Sequence, residues 1–263
     1  MWGNNETGVV NDVRDISRVA HSSGALYHCD ATQVPGKLLP SPSSYRLGLN
    51  SFADFAVLSA HKMHGPKGCG VLYAKSGAPA AFLTALHAGG EQMSGLRGGT
   101  VNVAGVVGFG AAAERLMSDE PRCGEEQKLR RMRDEFERII TKKLSGIVIV
   151  GKEAKRVANT SFVAVRGVEG EALLYDLNRH GICASTGSAC ASTALQPSVV
   201  LSAIEKTMNR DKNMGKKDLH NDIAHTGVRF SFSHMNTMKE MRKVADVLTK
   251  CAKRLRSFST VHI

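Results

Sequence analysis

The run Ser59-Ala60-His61-Lys62-Met63-His64-Gly65-Pro66-Lys67-Gly68 sets a lysine between a strand-like approach and a Gly/Pro turn. A lysine held at the edge of a sheet and facing a crevice can condense with an aldehyde, the covalent chemistry by which protein anchors pyridoxal phosphate. The same residues also read as a basic surface turn after the strand Phe55-Ala56-Val57-Leu58, with Lys67 as available as Lys62. Three further positions carry chemistry-bearing groups. Asp30 closes a strand and reads either as a ligand carboxylate or as an ordinary strand-end turn. Arg229 lies in the strand-like Val228-Arg229-Phe230-Ser231, where by itself it reads as a plain basic strand residue with a planar guanidinium. Cys190 sits in Ala184-Ser185-Thr186-Gly187-Ser188-Ala189-Cys190-Ala191-Ser192, a loop too small and polar to be chosen for packing. Such a loop suits a nucleophilic thiol, the alternative being a buried inert one.

The elements that must hold these groups follow an α/β pattern. Val13 to Ser22 reads as a helix stopped at Gly24, and Ala25 to Cys29 as a strand delivering Asp30. After the Pro/Ser/Gly-rich stretch 34–50, strands are expected at 55–58 and 70–74, and a Gly/Ala-rich packing helix at 102–118. Glu125 to Leu144 is a charged amphipathic helix, 147–150 and 160–165 are strands, and 171–179 is a helix ended by His180-Gly181. Val228 to Ser233 is strand-like. Thr237 to Leu255 is a closing helix with Thr237 as N-cap and Glu240 three residues on. The polar, lysine-rich run Glu205 to Asp222 is expected to bulge at the surface. The boundary falls near Ser118 to Gly124, giving domains 1–117 and 118–263. Ligands of open α/β sheets gather where strands end, so the strand ends are the place to look.

Composition bounds the classes of function. The 263 residues carry a formal charge of +11. Residues 1 to 112 hold eight Lys/Arg against six Asp/Glu and the remainder 27 against 18, so the excess lies in the later half among interspersed acids. That reads as a solvated surface. No aromatic-interleaved basic patch or recognition motif accompanies it, so direct nucleic-acid binding is not expected. Six cysteines without close CxxC pairs argue against a disulfide scaffold or structural zinc and fit a reducing compartment. No apolar stretch reaches membrane length, and the opening Met1-Trp2-Gly3-Asn4-Asn5-Glu6 has neither signal-peptide nor transit-peptide character.

Taken together, the short motifs resemble the cysteine desulfurases of the NifS/IscS type, in the class V aminotransferase group of fold-type I pyridoxal phosphate enzymes. The resemblance runs through Asn4-Asn5-Glu6-Thr7-Gly8, His28-Cys29-Asp30-Ala31-Thr32-Gln33, the Ser59 to Gly68 run and Gly95-Leu96-Arg97-Gly98-Gly99-Thr100. It resumes at Gly187-Ser188-Ala189-Cys190 and Gly227-Val228-Arg229-Phe230-Ser231, in family order across nearly the whole chain. It implies an α/β fold: the later part of a three-layer α/β/α large domain with a mostly parallel mixed sheet, then a C-terminal α+β small domain carrying the cysteine loop.

The resemblance also assigns roles. Lys62 is implied as the covalent anchor of pyridoxal 5'-phosphate and the base that moves the substrate Cα proton. Asp30 is implied as partner of the pyridine nitrogen, and Gln33 and Asn5 as partners of the phenolic oxygen. Ser59 and His61 are implied as phosphate ligands, and Thr100 as a ligand to the phosphate of a neighbouring subunit, hence a homodimer. Arg229 is implied to clamp the α-carboxylate of L-cysteine, and Cys190 to take the substrate sulfur as a persulfide while L-alanine is released. A sulfur-acceptor or iron–sulfur scaffold protein is the implied partner, serving cluster assembly or RNA thiolation. No metal is implied.

The family pattern begins well ahead of Asn4-Asn5-Glu6, with a phosphate-binding Gly/Thr turn and a ring-stacking histidine not found here. Where the family usually shows Gly-Gly-Gly-Gln-Glu-Arg-Gly, this chain has Gly89-Gly90-Glu91-Gln92-Met93-Ser94-Gly95, and Glu205 to Asp222 is longer than the usual connection. A selenocysteine lyase would use the same Lys62, Asp30 and Arg229, and a non-catalytic partner-binding fragment would keep the same pattern. The compartment, cytoplasmic or mitochondrial, stays open.

Overall fold

A computed structural model describes residues 1–38, 48–77, 81–117, 125–187, 198–210 and 223–258. The chain divides into two compact units, Met1–Asn4 with Val10–Glu126, and Asn5–Val9 with Gln127–Ile263.

In the first unit, helix α1 (Val13–Ser22) is started by Asp12, whose side chain accepts from the Arg14 and Asp15 amides. The helix ends in turns onto Ala20 and His21, with Gly24 at φ 71°. Those bonds keep Ala25 near the helix end, so strand β1 is His28–Asp30 and not the expected 25–29. Strands β2 (Phe55–Ser59) and β3 (Gly70–Ala74) complete a sheet of order β1-β2-β3, the first pair parallel and the second antiparallel.

Val13, Cys29, Ala31, Phe52, Ala53 and Ala56 form its small core. Trp2 packs edge-on to Phe52 at 5.2 Å between ring centroids. Beside them Asp54 is buried, its Oδ2 accepting from the Tyr27 amide and meeting His21 Nε2, each at 2.8 Å. Burial pushes the Asp54 carboxyl up, but the Tyr27 amide and His21 outweigh it and hold the group below the usual carboxylate range.

Helix α2 (Val103–Met117) opens behind Asn102, whose Oδ1 accepts from the Gly105 amide at 3.1 Å. Sequence made it a packing helix. It packs by a narrow stripe, at Gly105, Gly108, Ala112 and Leu116, while Val103, Val106 and Val107 stand exposed.

The second unit is built on helix α3 (Glu125–Lys143) and an antiparallel sheet of strands β4 (Ile147–Ile149), β5 (Thr160–Val165) and β6 (Gly227–Ser231), in that order. Helix α4 (Gly170–Arg179) and the closing helix α7 (Met238–Arg256) pack together on it. The Thr237/Glu240 capping box expected from sequence is present in full. β5 is buried along its entire length, which explains its unbroken small and apolar run. Phe136 meets Phe230 in a tilted contact and Phe232 edge-on within the core.

Two helices were not read from sequence: α5 (Val199–Arg210) and the single turn α6 (Ile223–Thr226). The first third of the supposed surface run, 205–210, is therefore helical, and residues 211–222 lie outside the described residues. No described helix is long and apolar enough to cross a membrane.

Candidate functional site

The parallel ladder of β1 and β2 decides what meets in the first unit. Asp30 is level with Val57, and the Ala31 amide donates to the Val57 carbonyl at 3.1 Å. Both strands therefore run out at one edge of the sheet, and the segments Asp30–Gln33 and Ser59–Lys62 leave from that edge together. Asp30 Oδ1 accepts from the Thr32 amide at 2.9 Å and from its hydroxyl at 2.7 Å, which orients the carboxylate. Gln33 Oε1 accepts from Lys37 Nζ at 2.7 Å, leaving the amide nitrogen as a donor.

After β2 the chain makes a single 3-10 turn, Ala60–Met63, that carries Lys62 half-buried and His61 exposed. Ser59 Oγ and His61 Nδ1 are 2.9 Å apart, so a hydroxyl and an imidazole are already paired on the outer side of this turn. The turn ends with His64 in the left-handed region at φ 67°, and the Gly65 amide returns to the Ala60 carbonyl at 2.9 Å.

The small-residue stripe of α2 backs the segment that follows. A Cβ at Gly65 would lie 3.0 Å from the Ala60 carbonyl oxygen and 3.2 Å from Ala112 Cβ. One at Gly105 would lie 2.3 Å from Cys69 Sγ, and one at Gly108 3.1 Å from Pro66 Cγ. Glycine and alanine at these positions let the helix approach the lysine turn closely, which gives the Gly/Ala-rich composition of the helix its physical reason. Thr100 follows Gly99 (φ 94°) and is exposed. Cys29 is fully buried, and burial pushes its thiol up, so it is a packing residue.

The second unit brings together another set. Arg229 exchanges both backbone hydrogen bonds with Ser185, donating at 2.6 Å and accepting at 3.2 Å, while its Nη1 donates to the Asn5 carbonyl at 2.7 Å. Asn5–Val9 is stitched to this unit by the Val157 amide, which donates to the Gly8 carbonyl, and by a bridge between Val9 and Arg156. Glu6 is buried, and a Cβ at Gly187 would lie 3.4 Å from its Oε2. The opening motif, the Arg229 strand and the start of the cysteine loop are thus neighbours.

Cys190 itself lies outside the described residues, in 188–197. Cys183 is exposed. No strand forms at 182–184; Ile182 takes the buried place and the next side chain turns outward. Sequence reasoning passed over Ser185 and Glu6 as shapers of this site. The signal for Glu6 was a carboxylate inside an otherwise small and amide-rich motif.

Residues 1–244 match the aminotransferase class-V family. The chain belongs to that family. Among curated relatives it is 40% identical over 261 residues to a cysteine desulfurase of Gluconacetobacter diazotrophicus, covering 98% of this chain and 59% of the relative. A cysteine desulfurase of Cereibacter sphaeroides is 39% identical over 259 residues, again 98% of this chain and 60% of the relative.

Among solved structures, a NifS-like protein superposes with a TM-score of 0.77 at 29% identity, covering 97% of this chain and 60% of that one. A NifS-like protein from Rickettsia africae gives 0.74 at 23% identity, covering 96% and 60%. The α/β fold expected from the motifs is thus the fold of this class-V family, and the chain spans about three fifths of the length of the curated relatives it matches.

Proposed function

We propose that the chain carries the cofactor-binding and sulfur-accepting residues of a cysteine desulfurase, which converts L-cysteine to L-alanine and leaves the sulfur on an enzyme cysteine. The observation that carries this reading is the parallel β1/β2 ladder. It delivers a carboxylate, a hydroxyl–imidazole pair and a lysine from one sheet edge in a chain of the class-V family.

That donor set fits pyridoxal 5'-phosphate. Lys62 would hold the aldehyde carbon, Asp30 the ring nitrogen, Gln33 and Asn5 the phenolic oxygen, and Ser59 and His61 the phosphate, with Thr100 serving the phosphate of a partner subunit in a homodimer. When bound, the cofactor supplies an electron sink for charge developing at the substrate Cα. Arg229 receives the substrate carboxylate through its planar guanidinium. The Lys62 amine would take the Cα proton and later return one to the product. The Cys190 thiolate attacks the substrate sulfur: the substrate C–S bond breaks, a persulfide forms on Cys190, and the carbon fragment leaves as alanine after protonation. The terminal sulfur of the persulfide then passes to a thiol of an acceptor or iron–sulfur scaffold protein. One solved neighbour, SspA, was captured in complex with cysteine, which is consistent with this substrate class.

The test is to mix the 263-residue chain with pyridoxal phosphate, reduce with borohydride and map the adduct by peptide mass. Label at Lys62, lost in Lys62→Ala, and alanine release with a persulfide on Cys190 that disappears in Cys190→Ser are the expected results. Label on Lys67 in place of Lys62, or undiminished persulfide in Cys190→Ser, would overturn the assignments.

A further inference from the structure

We infer that Asp176, His180 and Cys251 form a binding site for a zinc-class divalent cation in the second unit. Asp176 and His180 are four residues apart, at the C-terminal end of helix α4, and so share one face; Cys251 comes from the closing helix packed against it. A carboxylate oxygen, an imidazole nitrogen and the sulfur all lie within 4.8 Å of one another. A tetrahedral zinc ion with N, O and S donors places its ligands roughly 3.5 Å apart, so small side-chain rotations close the set.

A second observation concerns how the Asp176 carboxylate is held beside the Cys251 thiol. Asp176 is buried, and its two oxygens are treated unequally. Oδ1 accepts from Arg254 Nη2 at 2.7 Å, whereas Oδ2 is buried without an N–H or O–H donor. Arg254 therefore fixes the carboxylate plane and turns the other oxygen toward the thiol, the part an outer partner plays around a bound metal.

The alternative use of the trio, a Cys/His nucleophile, is disfavoured by its environment. Burial and the adjacent Asp176 carboxylate push the Cys251 thiol up to about 11, so it carries its proton at neutral pH. A cation entering from the exposed His180 side would displace that proton: the S–H bond breaks, a metal–sulfur bond forms, and one proton is released to solvent. Two negative ligands, one neutral imidazole and the nearby Arg254 leave room in charge and coordination for a water as fourth ligand. Mixed sulfur, nitrogen and oxygen donors favour zinc over magnesium or calcium. The ion would clasp helix α4 to the closing helix immediately before the chain runs through Ile182 to Ser185.

The experiment is a cobalt titration of the reduced 263-residue chain, with zinc as competitor. We expect one cobalt per chain, a sulfur-to-cobalt charge-transfer band, visible bands of tetrahedral intensity, and displacement by zinc. Cys251→Ser should remove the charge-transfer band contributed by this site. His180→Ala, an exposed change that leaves the core intact, should weaken cobalt binding by about tenfold or more. Zinc should raise the melting temperature of the parent chain and not of His180→Ala. Absence of a stoichiometric cobalt band, or a band of the same intensity and affinity in both variants, would overturn the site.

Discussion

At the scale of single residues, Asp54 is the clearest case of a buried charge made useful by its partners. It bonds the amide before β1 and the imidazole of α1, tying helix to strand. Asp54→Asn should cost about 1–3 kcal/mol in urea unfolding at neutral pH, since charge-assisted bonds are weakened inside the fold. The folded carboxyl sits below its unfolded value, so this contribution is complete above the usual carboxylate range. It is lost as pH falls through the folded value. The gap between parent and variant should hold above about pH 5 and close on acidification; a gap that widened instead would refute the assignment. Of the residues singled out for chemistry, type and neighbours in sequence pointed to Lys62, Asp30, Ser59 and His61, whose segments leave the β1/β2 ladder together. They could not reveal that Arg229 pairs with Ser185 across 44 positions, because that contact is made by a β-bridge.

At the scale of elements, legibility followed how much local chemistry marks each boundary. Helix α1 begins and ends where expected because Asp12 and Gly24 punctuate it, and the closing helix because Thr237 and Glu240 form a reciprocal cap. Helix α5 escaped notice although Leu201, Ile204 and Met208 keep a helical spacing. Lysine and glutamate in the same stretch read as surface, and only tertiary packing buries Leu201 fully. Strand β6 carries a constraint that no pattern announces. Its first residue, Gly227, faces Phe162, and an added Cβ would lie 2.2 Å from the ring and 2.6 Å from the Ile223 carbonyl oxygen. Phe162 is fully buried and has nowhere to go. Gly227→Ala should therefore destabilise by about 1–3 kcal/mol or more, read as a lowered unfolding midpoint. An unchanged midpoint would mean that the β5–β6 pair can open without cost.

At the scale of the whole molecule, the two units are unequally finished. Among the described residues the main core cluster of the second unit contains twenty buried side chains, and that of the first unit six. The first unit instead exposes Val71 and Leu72 on β3, Phe82, Leu86 and Met93 beyond it, and Val103, Val106 and Val107 on α2. Exposed apolar area of this kind favours self-association in water. The chain by itself should bind apolar dyes and scatter light increasingly with concentration. Val107→Lys should reduce both while leaving the unfolding midpoint nearly unmoved, because the side chain touches solvent in either case; undiminished scattering would place the sticky surface elsewhere.

The lysine turn between β2 and α2 has its base fixed on two sides, by the strand before it and by a helix face with no room for another carbon. Its amine can therefore travel only as far as four methylenes swing about a stationary pivot. Reach, and not drift of the backbone, sets where that nitrogen can be delivered.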